Sequence, residues 1–200
     1  NETATTTLPI RDELLNSYTG VEKAVRLVRG FGNNWLELEP NHDINVPVSG
    51  YFADPEVLDL FQHELQYGDP ETALTEPYSV VLTKEAAEKI FQVENPVGES
   101  IKVGKLGLYK VTGVIKKTEN RSHIVVDAYA SMATVKSLEA AKLLSNNLDN
   151  WHSFTSGWVY ILLEEGKSIE DIERHLAKIS KDHFSTLPPD KTVEVTYSSQ

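Results

Sequence analysis

The chain has 200 residues, 40% of them hydrophobic, and a formal net charge of −11 at pH 7. This apolar content is enough for a folded core, whereas the negative charge argues against non-specific binding to nucleic acid or to an anionic membrane surface. The absence of cysteine excludes disulfides, cysteine-based zinc sites and thiol nucleophiles.

The first fifty residues are predicted to form a helix followed by extended segments. Leu8, Ile10 and Leu14–Leu15 share one face of the helix, and Gly20 is its stop signal. Val21–Gly30 and Trp35–Pro40 favour strands, and the sequence "INVPVSGYF" continues as an extended segment after a turn.

A second helix is predicted to start where Asp54 precedes Pro55, because proline is favoured at the first helical position. Its apolar face is formed by Val57, Leu58, Leu60 and Phe61. The turn residues Gly68-Asp69-Pro70 would end this segment.

The middle of the chain begins with a predicted strand, Tyr78–Leu82, that leads into a helix capped by Thr83. The inward face of this helix is formed by Ala86, Ala87, Ile90 and Phe91. Apolar residues then alternate at Ile101 and Val103, and again from Tyr109 to Ile115, as expected for two strands.

The glycines between Asn95 and Gly107 pose a choice between a phosphate-binding loop and structural turns. A phosphate loop needs a helix directly after its glycines, whereas strand-like alternation follows here and no Gly-Lys-Ser/Thr motif is present. We therefore interpret Asn95–Gly98 as a reverse turn and Gly104–Gly107 as a hairpin turn.

The last third is predicted to alternate between strands and helices. His123–Met132 favours a strand, and a helix is expected in the following "TVKSLEAAKLLSNNL". Gly157–Gly166 is the strongest predicted strand, and Ser168 caps a helix with Asp171 at its third position. A closing strand, "TVEVTY", after Pro188-Pro189 would complete a βαβ-like or split βαβ unit.

No segment is predicted to span a membrane or to act as a signal peptide. The apolar run Val159–Leu163 is far shorter than the roughly 20 residues that a spanning helix needs. Because the chain begins at Asn1 and its one methionine is Met132, we expect it to be an excised part of a longer protein.

The sequence offers no catalytic, cofactor-binding or metal-ligating residues that we can single out. The six histidines form no HExxH, HxH or i, i+4 pair, and they are His42, His63, His123, His152, His175 and His183. Glu164-Glu165 is best interpreted as a solvated turn, and no Gly-x-Ser-x-Gly elbow is present. We therefore expect neither cofactor nor enzymatic activity.

Aromatic residues are concentrated in two stretches that could line a ligand groove or pack between structural elements. They are Trp35, Tyr51, Phe52, Phe61 and Tyr67 in the first, and Trp151, Phe154, Trp158 and Tyr160 in the second. Packing is the interpretation that we favour. The non-periodic segment Asn146–Trp158 is predicted to be a loop.

The central block Pro77–Thr134 resembles the MacB-like periplasmic core domain of FtsX-like ABC transporter permeases. The shared pattern consists of "PYSVVLTKEAAEKIF", "NPVGESIKVGKLGLYKVTGVIKK" and "SHIVVDAYASMAT". The flanking segments agree in layout, although "LQYGDPETAL" stands where the family often has a Gly-Arg pair.

This resemblance implies an α+β fold made of two subdomains outside the cytoplasmic membrane. Residues 1–76 and 150–200 would form a porter-like subdomain of paired βαβ units, and residues 77–149 an inserted β-rich, sabre-like subdomain. The family has no catalytic residues in this domain.

The implied function is to couple cytoplasmic ATP hydrolysis to movement of a substrate or adaptor outside the membrane. The expected partners are an ABC ATPase and a periplasmic adaptor, lipoprotein or peptide cargo. The full permease is expected to be dimeric and the isolated domain monomeric. The alternatives are a secreted hydrolase or carbohydrate-binding domain, which the acidic and aromatic residues allow, and a structural surface protein.

Overall fold

A computed structural model describes residues 5–31, 34–38, 46–117 and 124–185. The described residues form ten strands: β1 (Val21–Val28), β2 (Asn34–Leu38), β3 (Val46–Val48), β4 (Gly50–Ala53), β5 (Leu65–Gly68), β6 (Ser79–Thr83), β7 (Ser100–Val103), β8 (Leu108–Ile115), β9 (Ala128–Ser131) and β10 (Gly157–Leu163). Five α-helices accompany them: α1 (Ile10–Ser17), α2 (Val57–Leu60), α3 (Lys84–Phe91), α4 (Val135–Ala140) and α5 (Ile169–Phe184). The mixed α+β class predicted from the sequence is confirmed.

The described strands belong to one mixed sheet in the order β10-β1-β4-β9-β6-β8-β7-β2-β3. Strand β5 lies beside β8 and pairs with the end of that strand that β7 leaves uncovered. Most neighbours are antiparallel, but β4–β9 and β6–β8 are parallel pairs. Alternation of side chains then separates the sheet into two buried faces.

Adjacent residues of the central strands belong to different hydrophobic clusters, because successive side chains of a strand point to opposite faces of the sheet. Val80 and Leu82 belong to the cluster beneath α3 and α4, whereas Val81 packs in the cluster that includes Val57 and Leu58 of α2. A third cluster lies between α1, α5 and the strands β1 and β10. Both faces of the sheet are therefore covered, which accounts for strands that are apolar throughout.

The helix starts follow the capping signals in the sequence. Thr83 Oγ1 accepts a hydrogen bond from the Ala86 N–H at the start of α3. Ser168 and Asp171 form a reciprocal capping box at the start of α5. The predicted first helix is also confirmed as α1, and the extended segment after Gly20 as β1.

Two predicted helices are wrong in length. The helix expected from Asp54 to Gly68 is only the four-residue α2, and Leu65–Gly68 forms β5 instead. The helix expected from residue 134 to 148 ends at Ala140. The predicted strand from His123 is also shorter, since β9 starts at Ala128.

Both helices are closed by the same hydrogen-bond pattern. After α2, the His63 N–H bonds to the Leu58 carbonyl, while Gln62 takes a φ of 55°. After α4, the Leu143 N–H bonds to the Leu138 carbonyl, while Lys142 takes a φ of 58°. This is the Schellman motif, which turns a helix back on itself at a left-handed residue.

The expected subdomain division at residues 76–77 and 149–150 stays a prediction. Described strands from the two expected subdomains pair with each other at β4–β9, β5–β8 and β2–β7. The predicted final strand at 192–197 lies outside the described residues.

Candidate functional site

The helices α1 and α5 pack together on one face of β1 and β10, and we call these four elements the terminal layer. Ile172, Leu176 and Ile179 of α5 are buried at helical spacing. They share a hydrophobic cluster with Ile10 and Leu14 of α1. The cluster also contains Val21 and Ala24, so both helices are joined to the sheet through β1.

Polar and aromatic contacts hold α5 near its middle and near its end. In the middle, His175 Nε2 lies 2.9 Å from Ser17 Oγ, and its ring stacks on Tyr18 at a centroid distance of 5.0 Å. Burial, together with the nearby Lys178 charge, lowers the pKa of His175. Near the end of α5, the His183 ring stacks on Trp151 at 3.5 Å. These contacts fix the position of α5 along its axis.

A network of ion pairs fastens α1 to β1 and to the segment after β4. Asp54 is buried, with 5% of its side chain exposed, and receives two hydrogen bonds from the Arg26 guanidinium, at 2.7 and 3.0 Å. Its carboxylate also accepts the Arg26 backbone N–H at 2.8 Å. Arg11 of α1 lies 3.7 Å from Asp54 and 3.5 Å from Glu56.

The geometry of the Arg26–Asp54 pair is bidentate, which is the strongest arrangement for such a pair. Burial by itself would lower the pKa of Arg26, but the hydrogen bonds and charge of Asp54, with the charges of Asp12 and Asp149, raise it. Removing one partner would leave a buried charge without compensation, which commonly costs about 3–5 kcal/mol. The pair is therefore a strong connection between β1 and the chain beyond β4.

Aromatic residues from the two aromatic-rich stretches of the sequence pack between structural elements. Tyr51 of β4 meets Trp158 of β10 edge to face at 5.5 Å, and Phe61 meets Tyr160 at 5.2 Å. The guanidinium of Arg29 lies 4.6 Å above the Trp158 ring. The packing interpretation is confirmed for these residues, while the Trp35 side chain lies outside the described part.

The glycine-rich stretch forms turns, as predicted. The Glu99 N–H bonds to the Pro96 carbonyl across Gly98, whose φ is 100°. Gly104 and Gly107 both have positive φ in the hairpin that joins β7 to β8. Because the glycines lead into β8, the geometry lacks the helix N-terminus that a phosphate loop uses.

One histidine that sequence reasoning did not single out is partly buried. The Nε2 atom of His63 lies 3.3 Å from the hydroxyl of Tyr129, which is fully buried. Burial lowers the pKa of His63 and raises that of Tyr129. The contact joins residues 66 positions apart, so no local pattern in the sequence could have indicated it.

In the described ranges, no group of three or more His, Asp or Glu side chains could hold a metal ion. His42 and His123 lie outside these ranges. None of the helices described is both long and apolar enough to cross a membrane.

The model of the MacB-like periplasmic core domain family matches residues 2–179 of the chain. A search of curated proteins found no match. The matched range includes the terminal layer up to Ile179, the Arg26–Asp54 pair and the whole central sheet.

Three crystal structures are similar in fold. A domain described as part of a permease protein from Porphyromonas gingivalis has a TM-score of 0.74 at 21% identity, covering 90% of this chain and 72% of that chain. The periplasmic region of MacB from Actinobacillus actinomycetemcomitans has a TM-score of 0.63 at 15% identity, covering 90% and 75%. The extracellular domain of the ABC-type transporter YknZ from Gram-positive bacteria has a TM-score of 0.65 at 17% identity, covering 92% and 87%.

Proposed function

Because the chain belongs to the family of MacB-like periplasmic core domains, the extracytoplasmic domains of bacterial FtsX-like ABC transporter permeases, we propose that it relays motion from the membrane. An ABC ATPase is the partner that this family implies, and ATP hydrolysis would supply the work. The domain would convert that work into displacement of a substrate or adaptor outside the membrane. The family consists of transporter domains and not of enzymes, so the hydrolase alternative has no support.

The terminal layer is the observation that carries this proposal. In permeases of this class, membrane helices precede and follow the domain, so force would arrive through segments near α1 and α5. These helices share one buried cluster with β1, and the Arg26–Asp54 pair ties β1 to the segment after β4. A displacement of either helix would therefore move the sheet as a body.

The continuous sheet supports transmission over distance. From β10 to β3, each neighbouring pair is hydrogen-bonded, and the central strands β6 and β9 are buried along nearly their whole length. Packed interiors have low compressibility and transmit strain. Motion that enters at the β10 side would reach the β7–β8 hairpin, and the β2–β3 edge beyond it, with little loss.

We further propose that the division into residues 1–76 with 150–200 and residues 77–149 is functional. The first part would receive the motion, and the second would present it to the partner. A periplasmic adaptor, a lipoprotein or a peptide cargo would be that partner, and the full permease would act as a dimer.

A proline in α5 tests the coupling role in the full-length permease. Ala177 is exposed on α5, so Ala177→Pro breaks the helix, at a cost of about 3 kcal/mol or more, without deleting a buried side chain. We expect transport to fall while ATPase activity partly survives, and Ala177→Ser to retain both. Equal loss of transport and ATPase activity in a protein that is still folded would refute the coupling role.

A further inference from the structure

An open pocket of about 240 Å³ lies where the two proposed parts meet. One wall comes from residues of the first part: Asp12, Arg26, Asp54, Pro55, Leu74 and Thr75. The other comes from the second part: Met132, Ala133, Lys136, Leu148 and Asp149. Ligand pockets occur preferentially at such junctions, and drug-sized ligands need roughly 300–1,000 Å³. This pocket therefore suits a smaller molecule.

The walls of the pocket are held in place by named hydrogen bonds. Ser131 Oγ donates to the Leu74 carbonyl at 2.8 Å, which joins the two walls. The Glu139 carboxylate accepts the backbone N–H groups of Asn147 and Leu148 at 2.8 and 3.2 Å. The loop that carries Asp149 is thus fixed to α4, which carries Lys136.

The charged groups of the pocket are of two kinds. Asp54 is saturated by its bonds to Arg26, as described above. By contrast, Lys136 and Asp149 are exposed and, within the described residues, make neither a hydrogen bond nor a salt bridge. The pocket is therefore lined by a cation without an ion-pair partner, Lys136, and by an anion, Asp149, whose charge acts on Arg26 without direct contact.

Arg26 adds further donors to the cationic side. A guanidinium has five N–H groups. Those of Arg26 make three side-chain hydrogen bonds among the described residues, two to Asp54 and one to Asp12. The side chain is 12% exposed and lines the pocket, so two of its N–H groups remain available to an acceptor on a ligand.

We propose that this pocket binds an α-amino acid with an apolar side chain. The carboxylate would lie toward Lys136 and the open Arg26 donors, and the ammonium group toward Asp149. The apolar side chain would pack on Leu74, Met132 and Leu148, which are all buried. This assignment goes beyond the coupling role and does not depend on it.

The single methionine makes the test specific. Met132 is the one methionine of the chain and lines the pocket, so a 13C-methyl label on methionine gives one NMR signal from the site. We expect leucine to shift this signal saturably. Isocaproate, which lacks the ammonium group, and isoamylamine, which lacks the carboxylate, should bind at least about tenfold more weakly. The proposal would be overturned if leucine caused no shift. It would also be overturned if both analogues bound as tightly as leucine.

Paired variants separate a specific site from a general effect of charge. Lys136→Gln and Asp149→Asn should each weaken leucine binding about tenfold. Lys89→Gln and Asp182→Asn remove matched charges from exposed positions outside the pocket and should leave binding unchanged. A cooperative thermal unfolding transition like that of the parent chain shows that a variant is folded. Equal affinity in Lys136→Gln and the parent chain would contradict the assignment.

Discussion

The terminal layer and the centre of the sheet are stabilised by different kinds of contact. In the centre, β6 and β9 are buried along nearly their whole length, and most of their side-chain contacts are apolar packing. In the terminal layer, apolar packing is supplemented by the Arg26–Asp54 pair, the Ser168–Asp171 capping box and the ring stacks of His175 and His183.

This difference has a mechanical meaning under the proposed function. Apolar packing is non-directional and gives a stiff body, whereas ion pairs, caps and ring stacks are directional contacts that can be broken singly. We therefore expect the centre to behave as a rigid element, and the terminal layer as the place where movement is received.

The largest effect is expected from a cavity in the centre. Phe52 is fully buried and meets Phe31 edge to face at 5.6 Å. Phe52→Ala should lower the free energy of unfolding by about 3–5 kcal/mol, measured by urea denaturation of the domain. Leu108→Ala is the control, because Leu108 is 51% exposed and its loss should change stability by less than about 0.5 kcal/mol. Similar losses of stability in both variants would contradict the expectation that the centre is more tightly packed than exposed parts of the sheet.

A smaller effect is expected from the ion pair that connects the two regions. Asp54→Ala leaves Arg26 buried with Asp12 as its remaining partner, so it should cost about 3 kcal/mol, the lower end of the range for a broken buried pair. The double variant Arg26→Met, Asp54→Leu should recover most of this loss, because apolar residues of similar volume can replace a buried pair. Stability as low in the double variant as in Asp54→Ala would show that the carboxylate has a structural role beyond pairing with Arg26.

Capping residues in the sequence correctly predicted the starts of two helices. Thr83 and Ser168 are capping residues, and both mark the starts of real helices. The ends of α2 and α4 were missed because Gln62 and Lys142, and not glycine, occupy the left-handed positions. Glycine and asparagine are the residues that mark such an end, so glutamine and lysine in these positions give no stop signal.

Non-local features could not be read from the sequence. The pairing of β4 with β9 joins residues almost 80 positions apart, and Arg26 and Asp54 are separated by 28. Neither follows from periodicity, which determines the face of a strand but not its neighbour. The pocket is similarly built from separate segments, so the shared location of Lys136 and Asp149 becomes apparent only in the folded chain.

The smallest expected effect is on the pH dependence of stability. One histidine belongs to each region, so the two regions can be tested separately. Burial lowers the pKa of His63 below the ordinary value of 6.5, so the unfolded chain binds more protons at this site than the folded one. The stabilising effect of a neutral His63 is fully present above pH 6.5 and is lost as the pH falls from there toward the folded pKa. His175 in the terminal layer has a lowered pKa as well and should act in the same direction.

Thermal unfolding between about pH 8 and pH 5 measures both contributions, because carboxylates titrate mostly below this range. His63→Gln should make the melting temperature less dependent on pH, and His175→Gln should do the same independently. The two sites lie in different hydrophobic clusters, so their effects should add in the double variant. A pH dependence unchanged in His63→Gln would mean that the pKa of His63 is the same in the folded and unfolded chains, which would contradict a shift caused by burial.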